Sequence, residues 1–338
     1  MTTPRAGENT ACIDPARFLR LPKPLWVWLD RPSLTVDAIT DPGGPIENTR
    51  GMSTILVQVI VGGLLLGAVY ALFSSGLTLI WGMMNIVNFA HGDFVMLGMY
   101  VAFVVWTLFG AGPMLGAPIA ALALATLGVI VYFGLVRGIM KGPMLAQILG
   151  TFGLALLLRY AAFWWFGANF LSLPENIVGG TFDVFGIRIQ ASRLLAGGVA
   201  LLVTGGLHVL LTRTSLGSKM LAVAEDSAAA QLVGIRPDAM QATAWAIAAG
   251  VTGIAGALIA TFFYIVPTVG ETLGIVAFVT VSLGGFGSIP GALVAGLLIG
   301  VIESLSAYWI GAVYKDIVVY SLFLCFLWFR PQGLMGKM

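Results

Sequence analysis

From Ser53 to the C-terminus the chain is a succession of apolar runs, each near one membrane thickness long and nearly free of charge. No other feature constrains the fold as strongly. A hydrocarbon slab about 30 Å thick takes roughly 20 apolar residues per helical crossing. A surface helix of a soluble protein carries one apolar stripe, whereas these runs are apolar all round. The strands of a membrane barrel alternate apolar and polar residues, and these runs do not. Composition agrees, with 59% hydrophobic residues, 9% charged residues and a mean hydropathy of +0.97, where soluble domains carry roughly a quarter charged residues. The expected fold is all-α, a polytopic transmembrane helical bundle whose first partner is the lipid bilayer. The 44 glycines suit such a bundle, because small residues let helix backbones approach closely in lipid. A formal charge of +2 gives no indication of nucleic acid. Cys12 and Cys325 stand far apart in sequence and imply neither a disulfide framework nor a metal site.

The composition changes near Gly51. Residues 1–51 hold 12 of the 32 charged side chains (17 basic plus 15 acidic) and seven of the 15 prolines. Their longest apolar run, Leu25–Leu29, is too short for a signal-peptide core or a span. This segment reads either as a polar, disordered tail or as an over-extended start, with translation beginning at Met52. Residues 52–338 form the membrane domain. Spans are expected near 54–73, 90–109, 114–136, 145–166, 194–212, 242–264, 273–289, 291–308 and 316–329. The stretch 75–89 is either a half-span or a continuation of the first span. That puts the total at eight to ten, with a broken or re-entrant helix among them. Lys and Arg concentrate in cytoplasmic loops. One side collects Arg137, Lys141, Arg213, Lys219, Arg236, Arg330 and Lys337, against Arg188, Arg193 and Lys315 on the other. The bias places loops 137–143 and 213–241, and the C-terminus, in the cytoplasm, with loop 167–193 periplasmic.

Four features stand out as candidate sites. The loop 213–241 is a long polar interruption whose centre, Met220–Leu232, is rich in helix formers. Gly234 suits its C-cap and Pro237 follows. A helix exposed there either inserts into a groove on a soluble partner or lies on the membrane surface. Asn85, Asn88, His91 and Asp93 form a dense polar cluster. On a helix the first three share roughly one face, while Asp93 points elsewhere. Polar groups in lipid must face protein or water, so the cluster either lines a translocation path or gate or holds helices together by hydrogen bonds. A His–Asp catalytic pair lacks any accompanying nucleophile or metal-ligand spacing. Gly284, Gly285, Gly287, Pro290 and Gly291 read as a hinge or as close packing, with a break at 284–290. Arg159 and Glu303 are the charges deepest in the expected spans, and each needs a partner; they pair with each other, or Arg159 snorkels to an interface. His208, beside Arg213, reads as interfacial. No GxxxxGK[ST] loop occurs, so the chain carries no nucleotide-hydrolysing site of this type.

The sequence resembles a known family at four places in order. GLTLIWGMMNIVNFAHGDFVMLGMY, residues 76–100, resembles the N-terminal signature of branched-chain amino acid permeases. Ala224, Glu225, Asp226 and Gly234 resemble a diverged EAA…G loop of ABC importer permeases, with a longer spacer and no later Leu-Pro. LGGFGSIPGALVAGLLIG, residues 283–300, and FRPQGLMG, residues 329–336, resemble the late glycine-rich segment and the ending of the same family, in its LivH-type subunit. The resemblance covers about 52–338. It implies a permease subunit of an ATP-driven importer, not itself an enzyme and holding no cofactor or metal. Ala224–Asp226 and Gly234 would contact an ATPase, which uses the ATP. A second related permease and a periplasmic substrate-binding protein are the other implied partners. Branched-chain amino acids are the implied cargo; related permeases carry urea or short amides. An ion-coupled secondary carrier is the reading from a different class, and an inverted repeat with matched broken helices would favour it.

Overall fold

In the computed structural model, helix α1 runs from Pro45 to Met84 without interruption. The stretch 75–84 is thus a continuation of the first span, and the chain unwinds only over 85–90. Every residue from Gly67 to Ile80 is buried, so an all-round apolar sequence finds protein on all sides. The second central helix is α9 (Pro237–Ile259), buried over most of its length and packed most extensively against α3 (Pro113–Val131) and α2 (His91–Phe109). The structure describes residues 45–110, 112–174, 179–184, 187–330 and 332–336. Of the tail expected over 1–51, residues 1–44 lie outside the described residues, and the packed unit begins at Thr49.

Helix α3 continues through a π-helical turn, Tyr132–Val136, into the short α4 (Arg137–Ile139). Next come α5 (Met144–Phe166), the antiparallel hairpin β1 (Thr181–Val184) and β2 (Ile187–Gln190), and α6 (Ala191–Arg213). The loop helices are α7 (Ser215–Glu225) and α8 (Ser227–Leu232). After α9 follow α10 (Val269–Gly284), α11 (Ile289–Trp309) and α12 (Lys315–Phe329). Among the described residues, seven helices are long and apolar enough to cross a membrane. The expected spans 273–289 and 316–329 fall on α10 and α12, only 16 and 15 residues long, below the usual minimum of roughly 17.

The expected single loop helix is two. Asp226, in extended backbone, caps α8, its Oδ1 accepting from Ala228 N at 2.9 Å and Ala229 N at 3.0 Å. An aspartate satisfies free N–H groups at a helix start better than it serves a helix interior. Pro237 opens α9 rather than merely stopping the loop helix, at the first-turn position where its missing N–H costs nothing. Between α10 and α11, Gly285 and Gly287 hold φ of 100° and 80°. Ser288 then caps α11, accepting from Gly291 N at 3.1 Å, and Pro290 sits in its first turn. The chain is broken over 285–288.

Helix separation is set by glycine. A Cβ on Gly296 of α11 would stand 2.7 Å from Ala71 N of α1, and one on Gly67 of α1 would stand 2.8 Å from Leu297 Cα. A methyl group does not fit there, and such close packing is what holds helices together where water supplies no drive. Gly296→Val is expected to lower stability by about 1–3 kcal/mol or more, read as a lower thermal midpoint in detergent. Gly198→Ala, where an added Cβ meets nothing within 4 Å, should leave the midpoint unchanged or raise it. Equal losses from both would contradict this packing.

Candidate functional site

Asn85 ends α1. Its N–H donates to Trp81 O at 2.8 Å and its φ is 53°, a left-handed conformation that asparagine tolerates and that commonly closes helices. The chain then turns back along the bundle without helical bonds. Backbone of this kind survives among apolar helices only where protein or a wet cavity satisfies it, and here Thr151 of α5 and the segment's own Asn88 do so. Val87 O accepts from Thr151 Oγ1 of α5 at 3.1 Å. Asn88, buried, accepts at Oδ1 from Ala90 N at 3.1 Å, and its carbonyl accepts from His91 N at 3.3 Å. His91, also buried, donates from Nε2 to Phe73 O of α1 at 2.7 Å. A carbonyl only accepts, so the proton sits on Nε2. Phe73 lies roughly 16 Å back along α1 from Met84 at the α-helical rise, so α2 starts deep beside α1 and not at its end. Gly76 leaves space for the imidazole: a Cβ there would stand 3.3 Å from His91 Cε1.

The expectation that Asn85, Asn88 and His91 share one helical face is therefore corrected. The first two are outside any helix, and Asn85 is exposed while Asn88 and His91 are buried. Asp93, two residues into α2, is 1% exposed at its side chain and is held by Arg159 of α5, Nε to Oδ1 at 3.2 Å. The same guanidinium reaches Glu271 of α10, Nη1 to Oε2 at 3.0 Å. Arg159 thus ties together α2, α5 and α10. The proposed Arg159–Glu303 pair does not form. Glu303 of α11 instead binds Lys315 Nζ of α12. Charge depth in the sequence identified Arg159 and Glu303 as needing partners, but three acids and one lysine compete for them, and only the fold decides.

The second element of the site is a cavity of about 580 Å³ at the end of the bundle that carries Arg213, Lys219 and Arg236, hereafter the basic end. Its walls come from the end of α1 (Trp81, Asn85), from α6 (His208), from α7 (Met220, Ala224), from the 285–288 break (Phe286), from the start of α11 (Pro290) and from Met335. The Trp81 and Phe286 rings meet at 4.5 Å between centroids, tilted by 38°. The C-terminal segment is clipped onto the break: Leu334 N donates to Leu283 O at 2.8 Å and Met335 N to Gly284 O at 3.0 Å. Gly284 and Gly291 lie backbone to backbone across the break. Glu225 and Asp226 are exposed at the α7–α8 junction, and Gly234, at φ 82°, closes the turn after α8. Of the residues singled out in the sequence, Asn85, His208, Ala224, Gly287 and Pro290 meet at this cavity.

One cluster went unnoticed in the sequence. Tyr132, in the π-helical turn, donates to Gln241 Oε1 at 2.8 Å, and Arg137 binds Asp238 at 2.6 Å. This fastens α3 and α4 to the start of α9, directly after the loop helices. The π-bulge that aims Tyr132 has no sequence signature.

The bundle thus combines an unwound segment between its first two helices, a charged tie between three helices and a cavity walled in part by the loop helix α7. Residues 59–327 match the family model described as branched-chain amino acid transport system / permease component. The chain is 33% identical over 294 residues to the high-affinity branched-chain amino acid transport system permease protein BraD of Pseudomonas aeruginosa, covering 83% of this chain and 96% of that protein. It is 30% identical over 299 residues to LivH of Escherichia coli, again 83% and 96%. LivM of E. coli matches at 28% over 291 residues, 79% of this chain and 68% of that one. No solved structure matches. The chain belongs to the branched-chain amino acid transport permease family.

Removing one partner of a mostly buried ion pair strands the other, a loss of on the order of 3–5 kcal/mol. Arg159→Gln, which leaves the buried Asp93 carboxylate without a counter-charge, should therefore lower the thermal midpoint markedly. The swap Asp93→Arg with Arg159→Asp should recover part of the loss, while Arg159→Glu with Glu303→Arg should recover none. Rescue by the second swap would contradict the pairing described.

Proposed function

We propose that the chain is a permease subunit of an ATP-driven ABC importer that moves branched-chain or similar apolar amino acids across the bacterial inner membrane. Its family membership supports the cargo. The observation that carries the mechanism is the convergence of α7, the 285–288 break and the end of α1 on one cavity. A push on the loop helices is then a push on the cavity wall. It passes directly to α6, which joins α7 at Thr214, and through α8 to α9.

In this reading the basic end is cytoplasmic, as the Lys/Arg bias favours, and the C-terminus lies there too. The loop helices dock on an ATPase that supplies the nucleotide chemistry; the permease holds no cofactor. Leu232 and Val233, 89% and 75% exposed at the tip of α8, suit an apolar groove on that partner. A second permease of the LivM type pairs with this chain, and a periplasmic binding protein delivers the amino acid to the opposite end. With α10 and α12 counted, the crossings number nine (seven plus two), and the unwound 85–90 with the short α10 forms the broken-helix element. Asn85, Asn88, His91 and Asp93 set the inner passage, with Asn85 facing the gate cavity; Gly284–Gly291 is the hinge.

Co-expression with the ATPase and partner permease tests this. Glu225→Lys and Leu232→Asp should each reduce the ATPase that co-purifies and lower ATP-driven leucine uptake in proteoliposomes at least tenfold, with the permease still folded. Undiminished co-purification in both variants, or leucine uptake by this chain alone without ATP, would overturn the reading.

A further inference from the structure

At the end of the bundle away from the basic end, three cavities of about 330, 300 and 350 Å³ share one lining residue, Arg193. It lies in the first turn of α6, with its guanidinium carbon 5.9 Å from the centre of the Phe262 ring. Its Nη1 would stand 3.9 Å from a Cβ on Gly62 of α1. Arg159 binds two carboxylates, and Arg137 and Arg188 one each. Among the described residues no carboxylate lies within ion-pair distance of Arg193. Its planar donors face open space beside an aromatic ring.

The 330 Å³ cavity brings a second charge to the same space. Glu303 lines it, 4% exposed, and Leu65, Leu66 and Phe262 form an apolar wall. Lys315 bonds Glu303 at Oε1. Lys315 lines the same cavity; a carboxylate has about four acceptor sites, so Glu303 keeps acceptor capacity beside that bond. A free guanidinium, a buried carboxylate and an apolar wall around one cavity are together complementary to a zwitterion with an apolar side chain. The volume sits at the small end of the roughly 300–1,000 Å³ typical of ligand pockets, which favours a molecule no larger than an amino acid.

We infer that this cavity is an entry site for a small apolar α-amino acid. The carboxylate is taken by the fork of Arg193, which matches carboxylate geometry in two parallel bonds. The ammonium turns toward Glu303, and the side chain lies against Leu65, Leu66 and Phe262. The inference rests on the transport reading above and adds to it a site within the permease itself, separate from any delivered by a binding protein.

The test uses the purified complex of permease and ATPase subunits, with the binding protein omitted, and equilibrium binding of radiolabelled L-leucine. Saturable binding is expected, weakened at least tenfold by Arg193→Gln and less by Arg193→Lys, which also guards against misfolding. Leucinamide, lacking the carboxylate, should compete poorly with leucine in the wild type, and 4-methylvalerate, lacking the ammonium, likewise. Leucine affinity unchanged in Arg193→Gln would overturn the site. So would a site that glycerol phosphate fills and leucine does not, which would mark it as a place for a lipid headgroup phosphate. ATP-driven leucine uptake by the complete system separates the two levels. Uptake in the wild type without Arg193-dependent binding removes the site and leaves the transport reading; absence of amino-acid uptake removes both.

Discussion

The structure depends on one constraint: where a helix stops among apolar helices, the backbone groups it frees must find partners inside the protein. Over 85–90 they find them in Thr151, in Asn88 Oδ1 and in the N–H of His91, whose ring in turn holds Phe73 O of α1. Those bonds anchor the start of α2 beside the middle of α1, and the anchoring places Asp93 where Arg159 can hold it. Arg159 in turn reaches Glu271 at the start of α10. The positions of α2, α5 and α10 therefore follow from how one short unwound segment is satisfied.

The second break, 285–288, obeys the same rule with different means. Two glycines in left-handed backbone make the turn, Ser288 caps the next helix, and the C-terminal segment bonds the last carbonyls of α10. Asn85 at the first break and Phe286 in the second line the same cavity, where Phe286 also meets the Trp81 ring of α1. In the proposed transporter this is where motion is cheapest. The surrounding helices are locked backbone to backbone by glycines such as Gly67 and Gly296, while the breaks have few helical bonds to lose. A force arriving through α7 then bends the structure at the cavity and leaves the bundle intact.

Much of this was legible in the sequence. Among the described residues, long apolar runs located the seven helices long enough to cross a membrane, all but α1 to within about five residues at each end, because an all-round apolar run is legible without any periodicity. The break near Gly284–Pro290 was visible for the same reason that it exists, since glycine and proline write backbone geometry directly. The uninterrupted run of α1 through 75–84 was not visible: whether an apolar stretch with polar residues after it continues or stops depends on what encloses it. Partner choice was equally hidden. Arg159 and Glu303 announced their need for counter-charges, yet Asp93 and Lys315 were selected by helix arrangement. The π-helical turn at Tyr132 left no trace at all, because its residues are ordinary helix or span residues.

The central claim is that the loop helices move with nucleotide while the bundle stays fixed. Double electron–electron resonance tests it most directly in the reconstituted complex, with Cys12 and Cys325 replaced by serine. One spin-label pair joins Ser218→Cys on α7 to Leu149→Cys on α5. A reference pair joins Leu149→Cys to Leu122→Cys on α3, all at exposed positions. The account predicts that ATP binding shifts the first distance by several ångströms and leaves the second unchanged. ATP turnover with both distances fixed would contradict it.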